Sequence, residues 1–141
     1  MSYPHLSAWY EAWAPVLGRV MLGAVFLFGA TGKIPGTESF GMEVGMTAAA
    51  GVPLASLAVT LALILELAAG LALVIGWHVR LASFVLMLFT ILLTLIFHAS
   101  FATPLDVGFF MSHIGLIGGL LYVSVYGAQH AAVLKDPLPR G

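Results

Sequence analysis

The sequence contains no cysteine and very little charge. Of its 141 residues, only 8% are Asp, Glu, Lys or Arg, whereas 61% are hydrophobic. The absence of cysteine excludes disulfides, thiolate zinc sites and cysteine-ligated iron–sulfur clusters within this chain. Soluble domains carry about 25% charged residues, so a chain with so few is expected to reside in a lipid bilayer. The net charge of −1, without a basic run, argues against a nucleic-acid partner.

Apolar segments long enough to cross a membrane occur four times. A transmembrane helix needs about 20 mostly apolar residues, and segments of this kind occupy residues 15–34, 53–76, 80–99 and 108–127. Because lipid supplies no hydrogen bonds to the backbone, each segment is expected to be helical. The predicted fold is all-α: one integral membrane domain over residues 1–141, built as a four-helix transmembrane bundle.

The connection at residues 37–50 is too polar to span the bilayer. It is compatible with a short interfacial helix, with Phe40 and Val44 facing lipid, or with a loop.

The basic residues predict the orientation of the chain. Only Lys33 lies toward the end of the bundle that is remote from the termini. The other four lie toward the end that holds both termini: Arg19, Arg80, Lys135 and Arg140. Since cytoplasmic loops carry the excess of Lys and Arg, both termini are expected to be cytoplasmic.

Glu66 lies near the middle of an otherwise apolar span. At ~1.5 Å per residue it is about 20 Å from one end and about 15 Å from the other. A charged side chain at that depth costs about 2.5–3.5 kcal/mol on insertion scales. Small residues recur on its face and let another helix approach: Ala55, Ala58, Ala62, Ala69 and Gly76. Glu66 is therefore expected to face the bundle, either as a structural acid between helices or within a ligand site or proton path.

A second polar stripe runs along the third span. Thr90, Thr94 and His98 are spaced four residues apart, which places them on one helix face. The hydroxyls are expected either to bond back to their own helix or to contribute to a site. His98 is either an interfacial residue or a ligand-binding or proton-transfer group.

The remaining basic residues near the membrane are explained either by membrane topology and surface contacts or by a role in a functional site. Lys33 either points inward or extends to the head groups. Arg80 is explained by a topogenic role or by a role in a site, and Arg19 is expected to extend to the membrane surface.

The fourth span carries His113, which with Ser112 and Asp106 suggests an outer polar cluster near His98. The spacing of the histidines and the carboxylate matches no compact metal motif, so no metal site is predicted. A haem held by both histidines would require imidazoles that face each other at one depth. Alternatively, His113 points away from the core, because the expected packing face is formed by glycines and a tyrosine: Gly115, Gly118, Gly119 and Tyr122.

Taken together, these landmarks resemble the DoxX family of small bacterial four-helix membrane proteins. The stretches that carry the resemblance are RVMLGAVFLFGATGKI (19–34), AGVP (50–53), ILELAAGLALVIGWHVRLA (64–82), TLIFHASF (94–101) and IGLIGGLL (114–121). The family is related to DoxD-type chains of quinone oxidoreductases, which implies a bacterial inner-membrane protein associated with quinone chemistry. Its recurring polar positions correspond here to Lys33, Glu66, Arg80 and His98. Members often carry Lys–Asn where this chain has Ser112–His113.

Two functions are compatible with this pattern. The first is a redox-associated subunit with a small hydrophobic, quinone-like ligand site and no cofactor of its own, at most one subunit of a quinone-linked oxidoreductase. Its redox centre would then belong to a partner protein. The candidate ligand-binding or proton-transfer residues are Lys33, Glu66, Arg80, Thr94, His98 and His113. The alternative is a non-catalytic membrane scaffold, assembly factor or small transporter with structural polar residues. A homo-oligomer through the glycine face is compatible with both.

Overall fold

The fold is described by a computed structural model for residues 4–128, with side chains from residue 8 onward. This part of the chain is helical and contains no strand. Its helices are α1 (Pro4–Thr31), α2 (Glu38–Ala49), α3 (Ala55–Ile75), α4 (Val79–Phe97) and α5 (Pro104–Tyr126). All except α2 contain a segment long and apolar enough to cross a membrane. The all-α prediction with four spanning helices is confirmed.

The four long helices form a closed ring. α1 packs along α3, α3 contacts α4, α4 packs along α5, and a smaller contact between α5 and α1 closes the ring. The core between them is apolar and includes Phe26, Leu73, Leu86 and Leu120. Large apolar side chains cover the outside of the bundle, as expected where the surrounding solvent is lipid.

The first helix begins well before the predicted residue 15, so the expectation that Pro15 opens it is wrong. Pro15 lies inside α1. A proline within a helix removes the hydrogen bond to the carbonyl four residues earlier, here that of Glu11. Because Glu11 is exposed, water or lipid head groups can satisfy its carbonyl, and the helix continues through the proline.

The last helix also begins earlier than the predicted residue 108. Thr103 caps it: its hydroxyl accepts a hydrogen bond from Asp106 N at 3.1 Å, and Asp106 Oδ2 accepts one from Thr103 N at 3.0 Å. Pro104 occupies the first turn, where the missing N–H costs nothing. The stretch TPLD is therefore a helix start.

The connection at 37–50 forms the helix α2, so the helical alternative is confirmed. Its expected orientation is wrong. Phe40 and Val44 lie on the less exposed side with the buried Thr47, whereas Met42 and Met46 are exposed. α2 packs against α3. The end of the bundle that holds α2, the end of α1 and the start of α3 is called the α2 end below; the α4–α5 connection lies at the same end.

A tight turn joins α3 to α4 at the end of the bundle opposite α2. Gly76 follows the last residue of α3 and caps the helix; its φ of 82° is a conformation that glycine adopts without strain. The N–H of Trp77 then donates to Ala72 O at 2.8 Å.

The orientation of the bundle in the membrane stays a prediction. Two of the residues that support it, Lys135 and Arg140, lie outside the described residues.

Candidate functional site

Lys33 and Glu66 form an ion pair inside the bundle. Lys33 Nζ lies 3.0 Å from Glu66 Oε2, and the two side chains are only 12% and 5% exposed. Lys33 therefore points inward, and Glu66 faces other helices, as its small-residue face predicts. The contact joins the residues just after α1 to the middle of α3. One of the two alternatives for Glu66, an acid that bridges helices, is directly visible in this pair.

Gly29 completes the surroundings of the ion pair. Lys33 Nζ also donates a hydrogen bond to the carbonyl of Gly29 at 3.1 Å. A Cβ at Gly29 would lie 3.7 Å from Glu66 Oε2, so the carboxylate rests against the α1 backbone. The ammonium thus has a carboxylate and a carbonyl as partners, which offsets part of the cost of burying it.

Glu43 of α2 is a third charged residue near this pair, and the sequence analysis missed it. A Cβ at Gly32 would lie 3.7 Å from Glu43 Oε1, and Glu43 repels Glu66 electrostatically. The signal that was available is the helical spacing of Phe40, Glu43 and Thr47, which places them on one face. We call Gly29, Lys33, Glu43 and Glu66 the ion-pair cluster; it holds two carboxylates and one ammonium.

A second group of polar side chains lies where α4 and α5 meet. Thr94 Oγ1 is 2.8 Å from His113 Nδ1 and donates to the carbonyl of Thr90 at 2.6 Å. The expectation that the Thr94 hydroxyl bonds to its own helix is confirmed; its contact with His113 is an additional one, and a role of Thr94 in a ligand site stays a prediction. His113 faces α4, so the alternative in which it points away from the core is wrong.

His98 packs beside these groups at the end of α4. Its ring centroid lies 5.2 Å from that of His113 and 5.0 Å from that of Phe109. His98 Nδ1 is buried, and it has no hydrogen-bond partner among the residues that the structure describes. We call Thr94, His98, Phe109 and His113 the histidine cluster.

The histidine cluster does not have the geometry of a haem site. The His98 and His113 rings are in edge-to-face contact, which leaves no space for a macrocycle between them. Within residues 8–128, no three His, Asp or Glu side chains are grouped closely enough to hold a metal ion.

The predicted outer cluster of Asp106, Ser112 and His113 does not form. Asp106 is occupied by the α5 cap, where Oδ2 also accepts a hydrogen bond from Thr103 Oγ1 at 2.8 Å. The Ser112 hydroxyl is exposed and donates to Gly108 O of its own helix. Both residues serve α5 locally, and only His113 reaches α4.

Arg80 and Arg19 lie away from both clusters. Arg80 is half-buried at the start of α4, about 27 Å along the helix from His98. The structure thus separates Arg80 from the other candidates. Arg19 is only 3% exposed, so the expectation that it extends to the membrane surface is wrong; it lies inside the ring of helices.

The expected packing face of α5 is also mostly wrong. A Cβ at Gly115 or Gly118 would meet nothing within 4 Å, and Tyr122 is 63% exposed. Gly119 alone packs inward, where its Cβ would lie 3.3 Å from Leu22 of α1. The side of α5 that faces the bundle core carries the fully buried Leu120. A large apolar side chain, rather than a close approach of the backbones, therefore holds α5 in the ring.

The two clusters are chemically different. The ion-pair cluster is a charged contact whose ammonium already has two partners. The histidine cluster contains no Asp, Glu, Lys or Arg, is lined by an aromatic ring, and holds a buried ring nitrogen that has no hydrogen-bond partner among the described residues. Among the described residues, no hydrogen bond, ion pair or ring contact joins one cluster to the other. The histidine cluster is therefore the better candidate for a ligand site.

Comparisons with known proteins agree with this architecture. A family model described as DoxX matches residues 14–99. The chain is 30% identical over 115 residues to the inner membrane protein YqjF of Escherichia coli (strain K12). The aligned region covers 79% of this chain and 82% of that protein. No solved structure matches the chain significantly. With a family match over more than half of its length and four helices able to span a membrane, the chain belongs to the DoxX family of integral membrane proteins.

Proposed function

We propose that this protein is a redox-associated subunit of the bacterial inner membrane that holds a quinone-type molecule at the histidine cluster. The observation that carries the proposal is the buried His98 Nδ1, which has no hydrogen-bond partner within residues 8–128. Leaving a buried polar atom unpaired costs free energy, and such an atom deserves a functional explanation. A ligand oxygen beside this nitrogen would supply the missing partner.

The surroundings of His98 suit a flat, apolar ring with polar edges. Phe109 lies against the imidazole. A second aromatic pair, with ring centroids 4.8 Å apart, joins Phe101 of the α4–α5 connection to Phe110 of α5. Aromatic faces stack favourably on other rings. Small-molecule sites typically combine such apolar walls with a few convergent polar groups.

The ion-pair cluster has a supporting role in this proposal. Lys33 already contacts Glu66 and Gly29 O, so it has little capacity left for a ligand. We assign the pair to holding α1 against α3. Electron transfer is assigned to a partner protein, because the chain has no cysteine for a cluster and no sequence motif for an electron-carrying cofactor.

The experiment is a binding measurement on protein purified in native lipid extract. Native mass spectrometry on wild type, followed by titration with a short-chain benzoquinone, is expected to show one bound molecule. His98→Phe keeps a ring but removes both nitrogens and should abolish binding. His98→Asn keeps a polar atom at about the position of Nδ1 and should retain part of it. His78→Asn, at the opposite end of α4, should bind like wild type.

A second function is favoured by one observation, the buried ion pair between α1 and α3. Such a pair serves a scaffold or assembly factor as well as it serves a ligand-binding subunit. An empty wild type that does not bind added quinone, with His98→Phe as stable as wild type, would contradict the quinone proposal and favour the scaffold.

A further inference from the structure

We infer that the histidine cluster selects the reduced, hydroxyl-bearing form of its ligand, a quinol, over the oxidised quinone. The inference rests on the proposed function and names the chemical form that the same site takes. It follows from the proton positions that the hydrogen bonds of Thr94 impose on His113.

The first step concerns the single proton of the Thr94 hydroxyl. Thr94 Oγ1 lies 2.6 Å from the carbonyl oxygen of Thr90, and a carbonyl only accepts. The hydroxyl proton is therefore directed to Thr90. The second contact of Thr94 Oγ1, to His113 Nδ1 at 2.8 Å, then needs a proton on the nitrogen. His113 Nδ1 donates to Thr94.

The second step concerns the other nitrogen of His113. A neutral imidazole carries one proton, and a hydrogen bond at one nitrogen sets the role of the other. With Nδ1 protonated, His113 Nε2 presents a lone pair, and it has no hydrogen-bond partner among the described residues. The cluster thus contains a hydrogen-bond acceptor whose role is set by the backbone of α4.

The third step is the match to a ligand. A quinone carbonyl cannot donate a hydrogen bond and gains nothing from His113 Nε2. A quinol hydroxyl donates to it, while a quinol oxygen can pair with His98 Nδ1. The centroids of the two imidazole rings lie 5.2 Å apart, so the two nitrogens belong to rings in direct contact, and we infer that one ligand pairs with both. The reduced form therefore gains one hydrogen bond that the oxidised form lacks.

The experiment compares a short-chain benzoquinol with the corresponding benzoquinone by anaerobic calorimetry on protein in lipid nanodiscs. Wild type is expected to bind the quinol about five- to tenfold more tightly, the value of one added hydrogen bond. Thr94→Val removes the oxygen that fixes the tautomer, and the ratio should fall toward one. Thr94→Ser keeps the hydroxyl and should preserve the wild-type ratio.

The outcomes separate the inference from the proposed function. Binding of neither form overturns both. Equal or tighter binding of the quinone to wild type overturns only the selection of the reduced form. Histidine nitrogen chemical shifts from solid-state NMR of the wild-type protein give a readout independent of ligand: Nδ1 of His113 should be protonated and Nε2 should not. The opposite tautomer would overturn the inference even if Thr94→Val failed to fold.

Discussion

Gly23 of α1 and Gly70 of α3 face each other so closely that a Cβ on Gly23 would lie 2.7 Å from the carbonyl oxygen of Gly70. Gly70 in turn leaves room for Leu27, since its own Cβ would lie 3.2 Å from the Leu27 side chain. Close backbone approach of this kind is how helices associate in lipid, where no hydrophobic force drives them together. Glu66 lies one helical turn before Gly70 on α3, and the same close approach of α1 and α3 brings it within contact distance of Lys33.

Replacing Gly23 by alanine should therefore destabilise the α1–α3 contact. The new methyl group meets backbone rather than a flexible side chain, so α1 must shift, and overpacking of this kind costs about 1–3 kcal/mol. Thermal unfolding in detergent measures the loss. Gly18→Ala is the matched control on the same helix, because a Cβ there meets nothing within 4 Å. Equal effects of the two substitutions would contradict the close contact.

The Lys33–Glu66 pair should show strong coupling in a double-mutant cycle. Lys33→Met leaves a buried carboxylate without its cation, and Glu66→Gln leaves a buried ammonium without its anion; each single change is expected to destabilise the bundle. The double variant removes both charges, so its loss should be smaller than the sum by about 1–3 kcal/mol. Free energies of unfolding in lipid-mimetic micelles provide the measurement. Strict additivity would show that the two residues do not interact.

Glu43→Gln should leave the protein as stable as wild type or slightly more stable. The substitution removes a negative charge that repels Glu66 but preserves the ion pair with Lys33. Glu38, in the exposed first turn of α2, is the control: Glu38→Gln removes a carboxylate that interacts favourably with the helix N-terminus and should destabilise α2 slightly. Unfolding of the two variants at low ionic strength makes the comparison. A marked loss of stability in Glu43→Gln would mean that Glu43 stabilises the cluster.

Thr103→Ala should weaken the start of α5. The change removes a side-chain cap and leaves Asp106 without its hydroxyl partner, at a cost of about 0.5–2 kcal/mol. Hydrogen exchange of the first-turn amides of α5 should accelerate. Ser112→Ala, which removes an exposed hydroxyl bonded only to its own helix, should leave exchange in that turn unchanged. Unaltered protection in Thr103→Ala would show that the cap does not hold the turn.

Much of the fold was predictable from local sequence. The four apolar segments appear as spanning helices because only a hydrogen-bonded helix satisfies the backbone in lipid. Glu66 points inward because the small residues on its face admit a neighbouring helix. The start of α5 at TPLD also depends on local sequence, because it is a capping sequence with proline in the first turn.

Other features could not be predicted because they depend on which helices become neighbours. Thr94 meets His113, and Lys33 meets Glu66, only after the ring order places α4 beside α5 and α1 beside α3. Glu43 lies near the ion pair because α2 folds against the bundle instead of lying with Phe40 and Val44 toward lipid. Arg19 is buried by neighbours that its own helix does not specify.

The sequence by itself determined three properties: that lipid surrounds the chain, that the chain is helical, and that Glu66 points inward. Each of these depends on composition or on the period of a single helix. The tertiary structure alone decided the partners of the polar side chains: it paired Lys33 with Glu66, isolated Arg80 from the other candidates, and turned the glycine face of α5 outward. The physical reason is that a polar group in lipid must find its partner on another helix, and helix order and rotation are set by packing over the whole bundle.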